Sequence, residues 1–311
     1  MTLQIERAAL VEIAEATINR GSQSFAMASK LFGREARERA WLLYAWCRTC
    51  DDMVDGQTLG HGMETAYDAP ARLESLRAQT DVALTGDGVV DPAFAGLRHV
   101  ASECRIPSRL IHDHIAGFAA DAAGWRPKTE DDLLSYCYFV AGAVGCMMAL
   151  VMGVEPDDED TLDRACDLGI AFQLSNIARD IREDAENGRC YIPATWLDQA
   201  GLEEADLVAD HAASQLAAVA ARLVTMADRH ERSARIGAAR LPFRCRWAIL
   251  SAAGIYGDIG HEVVRRGDRA WRERVAVPGM RKAGFAVRAL GASLMPTPRT
   301  VSREGLWTRP R

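Results

Sequence analysis

The chain has 311 residues, 49% apolar and 7% aromatic, with a formal net charge of −6. This length suits one large domain or two ordinary ones, and a composition so apolar and poor in aromatics favours an all-helical protein with a substantial core. The acidic balance gives no reason to expect nucleic acid as a partner.

Eight cysteines (Cys47, Cys50, Cys104, Cys137, Cys146, Cys166, Cys190 and Cys245) are scattered along the chain. Glu6, Glu12 and Glu15 stand where a secretory signal would be apolar, so a reducing cytoplasm without disulfides is expected. Cys47 and Cys50 form a Cys-x-x-Cys, but no second such pair completes a zinc site.

With prolines as punctuation, helices are expected at roughly 3–20, 34–55, 68–85, 92–104, 107–122, 130–153, 158–186, 203–236, 243–266 and 279–294. Gly56 to Gly62 and Gly86 to Gly88 read as loops. No strand alternation, linker or repeat period interrupts the pattern, so one domain over 1–311 is expected, with 296–311 an irregular tail.

Helix 34–55 carries the first chemical feature. At about 100° per residue, Tyr44, Arg48, Asp51 and Asp55 share one side, and Leu43, Cys47, Cys50 and Val54 the other. Taken alone, that polar side also reads as a solvated face with an Arg–Asp pair three residues apart. Further on, Thr129 followed by Glu130, Asp131 and Asp132 reads as an N-cap with an acidic first turn. The apolar run 137–154 has no charge and the length of a short membrane span. Acidic residues bracket it and Gly142, Gly145 and Gly153 interrupt it, so a buried core helix is expected.

Helix 158–186 repeats the Asp-x-x-x-Asp spacing. Gln173, Asn176, Asp180 and Asp184 fall within one narrow arc. Two carboxylates one turn apart cost an isolated helix about 0.2–0.5 kcal/mol, so a cation is expected there. Mg²⁺ prefers one or two carboxylates plus substrate phosphates to a cage built wholly of protein. Two helices with such faces suit metal-bridged diphosphates, with Arg48 and Arg189 adding bidentate contacts. Metal and Arg together make diphosphate a good leaving group. The small, apolar helix 136–153 and the segment around Tyr256 are candidates to line an isoprenoid cavity, whereas Gly142 and Gly145 equally suit close helix packing.

Four blocks then resemble one family: GSQSFAMASKLF (21–32), LYAWCRTCDDMVD (43–55), YCYFVAGAVG (136–145) and LGIAFQLSNIARDIREDAENGRCYIP (168–193). They are similar to the squalene/phytoene synthases, the head-to-head branch of the isoprenoid synthases. GSQSF and the terminal LWTRPR most resemble the enzymes of Gram-negative carotenoid producers. The resemblance implies an all-α, isoprenoid synthase-type bundle around a central cavity. It implies Mg²⁺ or Mn²⁺ on Asp51, Asp55, Asp180 and Asp184, with Gln173 and Asn176 beside the second metal cluster. By the same resemblance Ser22, Phe25, Tyr44 and Arg48 contact diphosphate or the ionising allyl group, and Arg189 and Tyr191 cover the site. Tyr136, Val140, Gly145 and Tyr256 match cavity-lining positions, and Arg274 is a weaker match to a late phosphate-contacting arginine.

The implied reaction condenses two geranylgeranyl diphosphates through a cyclopropyl diphosphate to phytoene. ATP dependence, as in some bacterial relatives, is a further implication. NADPH is not expected, because no dinucleotide fingerprint is present. The alternatives are the same chemistry on farnesyl diphosphate, giving squalene or dehydrosqualene, and a helical assembly protein that kept the fold without the chemistry. Outside the motifs, 265–311 hold twelve Lys or Arg against three acids. In 279–294, Met280, Ala283, Ala286, Val287, Leu290 and Leu294 form one face and Arg281, Lys282 and Arg288 the other. Packing of the apolar face with a solvated basic face is one reading. Peripheral contact with an anionic inner membrane is the other.

Overall fold

The computed structural model describes residues 6–55, 69–86, 88–295 and 301–311, which form thirteen α-helices and no β-strand. They pack as two compact units, Met1–Ala123 with Met147–Asp158, and Gly124–Cys146 with Glu159–Arg311.

The first unit holds α1 (Arg7–Gly21), α2 (Gln23–Ser29), α3 (Arg34–Asp55), α4 (Ala69–Thr85), α5 (Pro92–Glu103) and α6 (Ser108–Ala122). Helix α3 has no Gly or Pro in its 22 residues, and its Leu42, Leu43, Trp46, Cys50 and Val54 are buried. These side chains recur every three or four positions, which directs one stripe toward α1 and α5, where Leu10, Ile18, Phe94 and Leu97 are also buried. Each large aliphatic side chain so buried contributes about 1.5–3 kcal/mol. Ion pairs fasten the rim of this cluster: Arg7 lies 2.8 Å from Glu38 and 2.6 Å from Glu103, and Arg39 2.9 Å from Glu103. A buried bond from the Trp41 indole N–H to the Ser29 hydroxyl (2.9 Å) ties α2 to α3.

The second unit is built on α9 (Glu159–Glu186), with α7 (Glu130–Cys137), a π-helical turn (Tyr138–Gly142), the first four residues of α8 (Ala143–Val151, the rest of which belongs to the first unit), α10 (Ala194–Ala200), α11 (Ala213–Ala238), α12 (Phe243–Arg266) and α13 (Gly279–Leu294) in its sequence neighbourhood or against it. Thr129 caps α7 as the sequence indicates, in a reciprocal box. Its hydroxyl accepts from the Asp132 N–H (3.2 Å), and the Asp132 carboxylate accepts from the Thr129 and Lys128 N–H groups, both at 2.9 Å. Those backbone donors, Thr129 first, hold the Asp132 carboxyl below the usual range. The apolar run is long enough by composition to cross a membrane, yet most of it is buried within the protein.

Gly145 and Gly169 permit close contact along α9. A Cβ on Gly145 would stand 2.4 Å from the Ala165 carbonyl oxygen, and one on Gly169 2.2 Å from that of Ala141. Of the two roles open to Gly145, close packing is thus the one it visibly fills.

Several expectations need correction. Helices α2 and α10 were not foreseen, since seven residues are too few to show a period. The helix expected at 203–236 begins at Ala213. Two 3₁₀ turns, Glu204–Val208 and Asp210–Ala212, precede it, separated by extended Ala209. The loop at Gly56 to Gly62 lies outside the described residues, as do 296–300.

Residues 301–311 are irregular but bound. Arg303 contacts Asp167 (2.8 Å) and Asp163 (3.3 Å), Arg309 pairs with Asp163 (2.9 Å) and Glu159, and Arg311 lies 3.1 Å from Asp163. Asp167 is fully buried and also meets His230 Nδ1 at 2.9 Å. Much of the tail's positive charge therefore neutralises the acidic start of α9.

Helix α13 is rotated relative to the expected face. Ala289 and Ser293 are buried, whereas Met280, Val287 and Leu294 are 89%, 69% and 71% exposed. The rotation follows from its anchors on α12. Phe285 packs over Gly254, the Trp247 indole donates to the Ala286 carbonyl (2.7 Å), and Arg281 pairs with Asp258.

Candidate active site

In the first unit, Ser22 stands between α1 and α2, and its hydroxyl accepts the Phe25 N–H at 3.3 Å as the cap of α2. That turn presents Phe25 to Tyr44 of α3, with ring centroids 5.5 Å apart. One turn on, the Arg48 guanidinium spans two carboxylates, Nη1 3.0 Å from Asp51 and Nη2 2.8 Å from Asp52. The Arg–Asp pair of the solvated-face reading is therefore real, but Arg48 is mostly covered, at 18% exposure. Asp52 was missed in the sequence, because the helical arc of Asp51 and Asp55 leaves it aside. Asp55 closes α3, and its side chain lies outside the described residues.

In the second unit, Gln173, Asn176, Asp180 and Asp184 all remain partly accessible on α9, whereas Leu174, Ile177, Ala178 and Ile181 between them are buried. The polar arc thus exists as one face. The Asp180 carboxylate is gripped by two guanidiniums, Arg179 beside it and Arg274 from 94 residues away, at 3.2 and 3.3 Å. Arg274 also lies 3.2 Å from Glu183. Trp271 places that arginine, its indole N–H donating to the Ala178 carbonyl at 3.2 Å. Arg179 had no sequence signal beyond its adjacency to Asp180.

Two aromatic groups complete this unit. Trp125, Tyr136 and Tyr191 form a stack, with centroid distances of 5.4 and 4.8 Å and interplanar angles of 17° and 19°. Tyr256 stacks on Phe172, the residue before Gln173, with ring centroids 4.1 Å apart. Burial raises the Tyr256 pKa, and nearby Arg179 only partly offsets it. Val140 lies half-buried in the π turn after α7. Trp125 and Phe172 were not singled out in the sequence, since ring stacking between distant segments leaves no local pattern.

The donor chemistry suits a divalent cation held through an open ligand set. Among the described residues no group of three or more His, Cys, Asp or Glu closes around one point. Hard oxygen donors in ones and twos are what Mg²⁺ takes when phosphate supplies the remainder. Asp180 already attracts two cationic groups, which shows how strongly that position draws positive charge.

Known proteins share this chain's sequence pattern and fold. The family model described as squalene/phytoene synthase matches residues 18–281. A 15-cis-phytoene synthase of Paracoccus sp. is 47% identical over 307 residues, covering 97% of this chain and 98% of that protein. One from Pantoea ananas is 44% identical over 305 residues, again 97% and 98%. Among solved structures, a dehydrosqualene synthase in complex with ligand aligns with a TM-score of 0.82 and 26% identity, over 92% of this chain and 97% of that one. A squalene synthase from Alicyclobacillus acidocaldarius shares the fold, with a TM-score of 0.75, 24% identity and coverage of 85% and 97%. With its motifs matched from 18 to 281 and its helical fold shared, the chain is a member of the squalene/phytoene synthase family.

Proposed function

We propose that the protein is a prenyltransferase that condenses two geranylgeranyl diphosphates head to head into phytoene, through prephytoene diphosphate. The observation that carries this reading is the retention of both acidic helix faces in a chain that aligns almost end to end with two 15-cis-phytoene synthases. A helical assembly protein of the same fold would have no use for those faces.

Each acidic face, Asp51 with Asp55 and Asp180 with Asp184 beside Asn176, would hold Mg²⁺ or Mn²⁺. The bound metal supplies charge neutralisation that makes diphosphate a leaving group. Arg48, Arg189 and Arg274 bind diphosphate oxygens, and Ser22 adds a hydroxyl at the start of α2. The Phe25 and Tyr44 rings offer π-faces to the first allylic cation. The second substrate's double bond attacks that cation, and loss of a proton closes the cyclopropane. Ionisation of this intermediate, rearrangement and a last proton loss give phytoene. Burial raises the Tyr256 pKa, and the last proton passes to a Tyr or to released diphosphate.

Incubation with labelled geranylgeranyl or farnesyl diphosphate, with Mg²⁺ or Mn²⁺ and with or without ATP, tests the reading. A C40 hydrocarbon from the C20 substrate is expected. A C30 product alone would instead assign the dehydrosqualene or squalene reaction. Undiminished turnover in Asp51→Ala with Asp180→Ala would remove the metal reading.

We also place a peripheral contact with the cytoplasmic face of the inner membrane on α13. Its exposed Met280, Val287 and Leu294 line one stripe, flanked by Arg281 and Arg288. Anionic lipid complements that charge, and the apolar stripe enters the headgroup boundary. Flotation on anionic vesicles at low and high salt, with Val287→Glu and Leu294→Glu as controls, tests it. Absence of binding at every salt concentration would end it.

A further inference from the structure

The strand of chain that leaves α9 after Asp184 is held by a second segment that no motif of the family reading includes. The turn starts with the Arg189 N–H donating to the Asp184 carbonyl at 2.8 Å and with Gly188 at φ 71°, where a side chain would be strained. Arg126 then fixes Gly188. Its Nη2 donates to the Gly188 carbonyl at 2.6 Å, and its Nε lies 3.2 Å from Glu204. Two backbone bonds continue the seam, Ala194 N–H to Pro127 carbonyl (3.0 Å) and Thr195 N–H to Lys128 carbonyl (3.2 Å). Between these attachments Trp125 caps the near-parallel stack through Tyr136 to Tyr191.

We propose that Trp125 and Arg126 are positioning residues that clamp segment 187–193 closed over the reacting cations and keep water from them. This rests on the head-to-head reading above, in which Arg189 and Tyr191 cover the site. The physical case is one of rigidity. Tyr136 and Tyr191 are buried at 4% and 7% exposure, and Trp125 backs the Tyr136 ring on which Tyr191 stacks. Ring stacking and the charge-assisted bond from Arg126 both hold the segment in place. A loosened segment admits water. Water then adds its oxygen to the carbocation, loses a proton to solvent or diphosphate, and leaves an alcohol in place of the hydrocarbon.

The readout is therefore product partition. Trp125→Ala and Arg126→Gln are expected to raise the ratio of alcohols plus released cyclopropyl diphosphate to hydrocarbon by up to about 10²-fold, the scale at which a misplacement of about 1 Å acts on rate. Trp125→Phe is expected to restore most of the wild-type ratio, since it keeps a stacking ring. Thermal melting of each variant identifies any that fail to fold, and Arg126→Lys and Trp125→Leu provide milder substitutions for the same ratio. An unchanged ratio in folded Trp125→Ala and Arg126→Gln, even with slower turnover, would overturn the proposal. The wild-type product identifies the reading independently. A C30 product from farnesyl diphosphate would change the substrate and leave the partition test intact, whereas no prenyl product at all would fail the underlying reading.

Discussion

Arg274 reaches back across 94 residues to Asp180, its Nη2 3.2 Å from Oδ1 and 3.3 Å from Oδ2. Together with Arg179 it would compete with a divalent metal for that carboxylate under the proposed function. Arg274→Ala should therefore lower the Mg²⁺ concentration that gives half-maximal turnover. It should also raise the KM for the diphosphate substrate by about tenfold, because a charge-assisted hydrogen bond is worth about 1.5–3 kcal/mol. Titration of activity against Mg²⁺ at saturating substrate checks the first effect. An unchanged metal requirement would refute the competition.

The polar arc of α9 and the long helices were legible because each follows from short-range spacing. Asp180 and Asp184 share a face by the geometry of 3.6 residues per turn alone, and Thr129 announces α7 by its own chemistry. What the sequence hid depends on contacts between distant segments. Arg274 meets Asp180 only because Trp271 binds the Ala178 carbonyl. The face that α13 buries is chosen by Gly254 and Asp258 on α12, not by its own apolar stripe. The π turn at Tyr138–Gly142 likewise interrupts a run that reads as one uniform helix.

The tail clasp gives stability a pH dependence. Burial alone would raise the Asp167 pKa, but hydrogen bonds from His230 and Arg303 outweigh it and hold the carboxyl below its usual value. A carboxyl depressed in the folded state contributes stability that is complete above the unfolded value, about 4. That contribution is lost as pH falls through the folded value. Asp167→Asn should lower the melting temperature at neutral pH, and the gap to wild type should narrow in acid below about pH 4. Arg303→Met, which leaves a buried carboxylate short of a partner, should cost about 3–5 kcal/mol. Melting curves from pH 7 to 3 test both. A gap that stays constant across that range would show that Asp167 is not the group responsible.

Close approach at α9 predicts a size limit. Gly169→Ala puts a methyl 2.2 Å from the Ala141 carbonyl oxygen, a backbone atom that cannot rotate away. Overpacking of this kind costs about 1–3 kcal/mol. Gly279→Ala, where nothing lies within 4 Å of the added carbon, should change the melting temperature little. Equal melting temperatures for the two variants would mean that the π turn and α9 separate at no cost.

The forked contact of Arg48 separates two neighbouring aspartates by role. Asp51 lies on the face shared with Tyr44 and is 40% exposed, whereas Asp52 is 16% exposed and 2.8 Å from the guanidinium. The exposed carboxylate can turn to a metal without leaving α3, but the covered one is committed to holding Arg48. Asp51→Asn should therefore reduce kcat/KM by at least about 10²-fold, the scale of losing a positioned electrostatic group. Asp52→Asn should reduce it by about tenfold or less, with a rise in KM as Arg48 loses its support. Arg48→Lys cannot span both carboxylates, because an ammonium lacks the planar fork, and should resemble Asp52→Asn in KM. Steady-state kinetics with Mg²⁺ varied for all three variants resolves the roles. A weakened metal requirement in Asp52→Asn but not in Asp51→Asn would reverse the assignment.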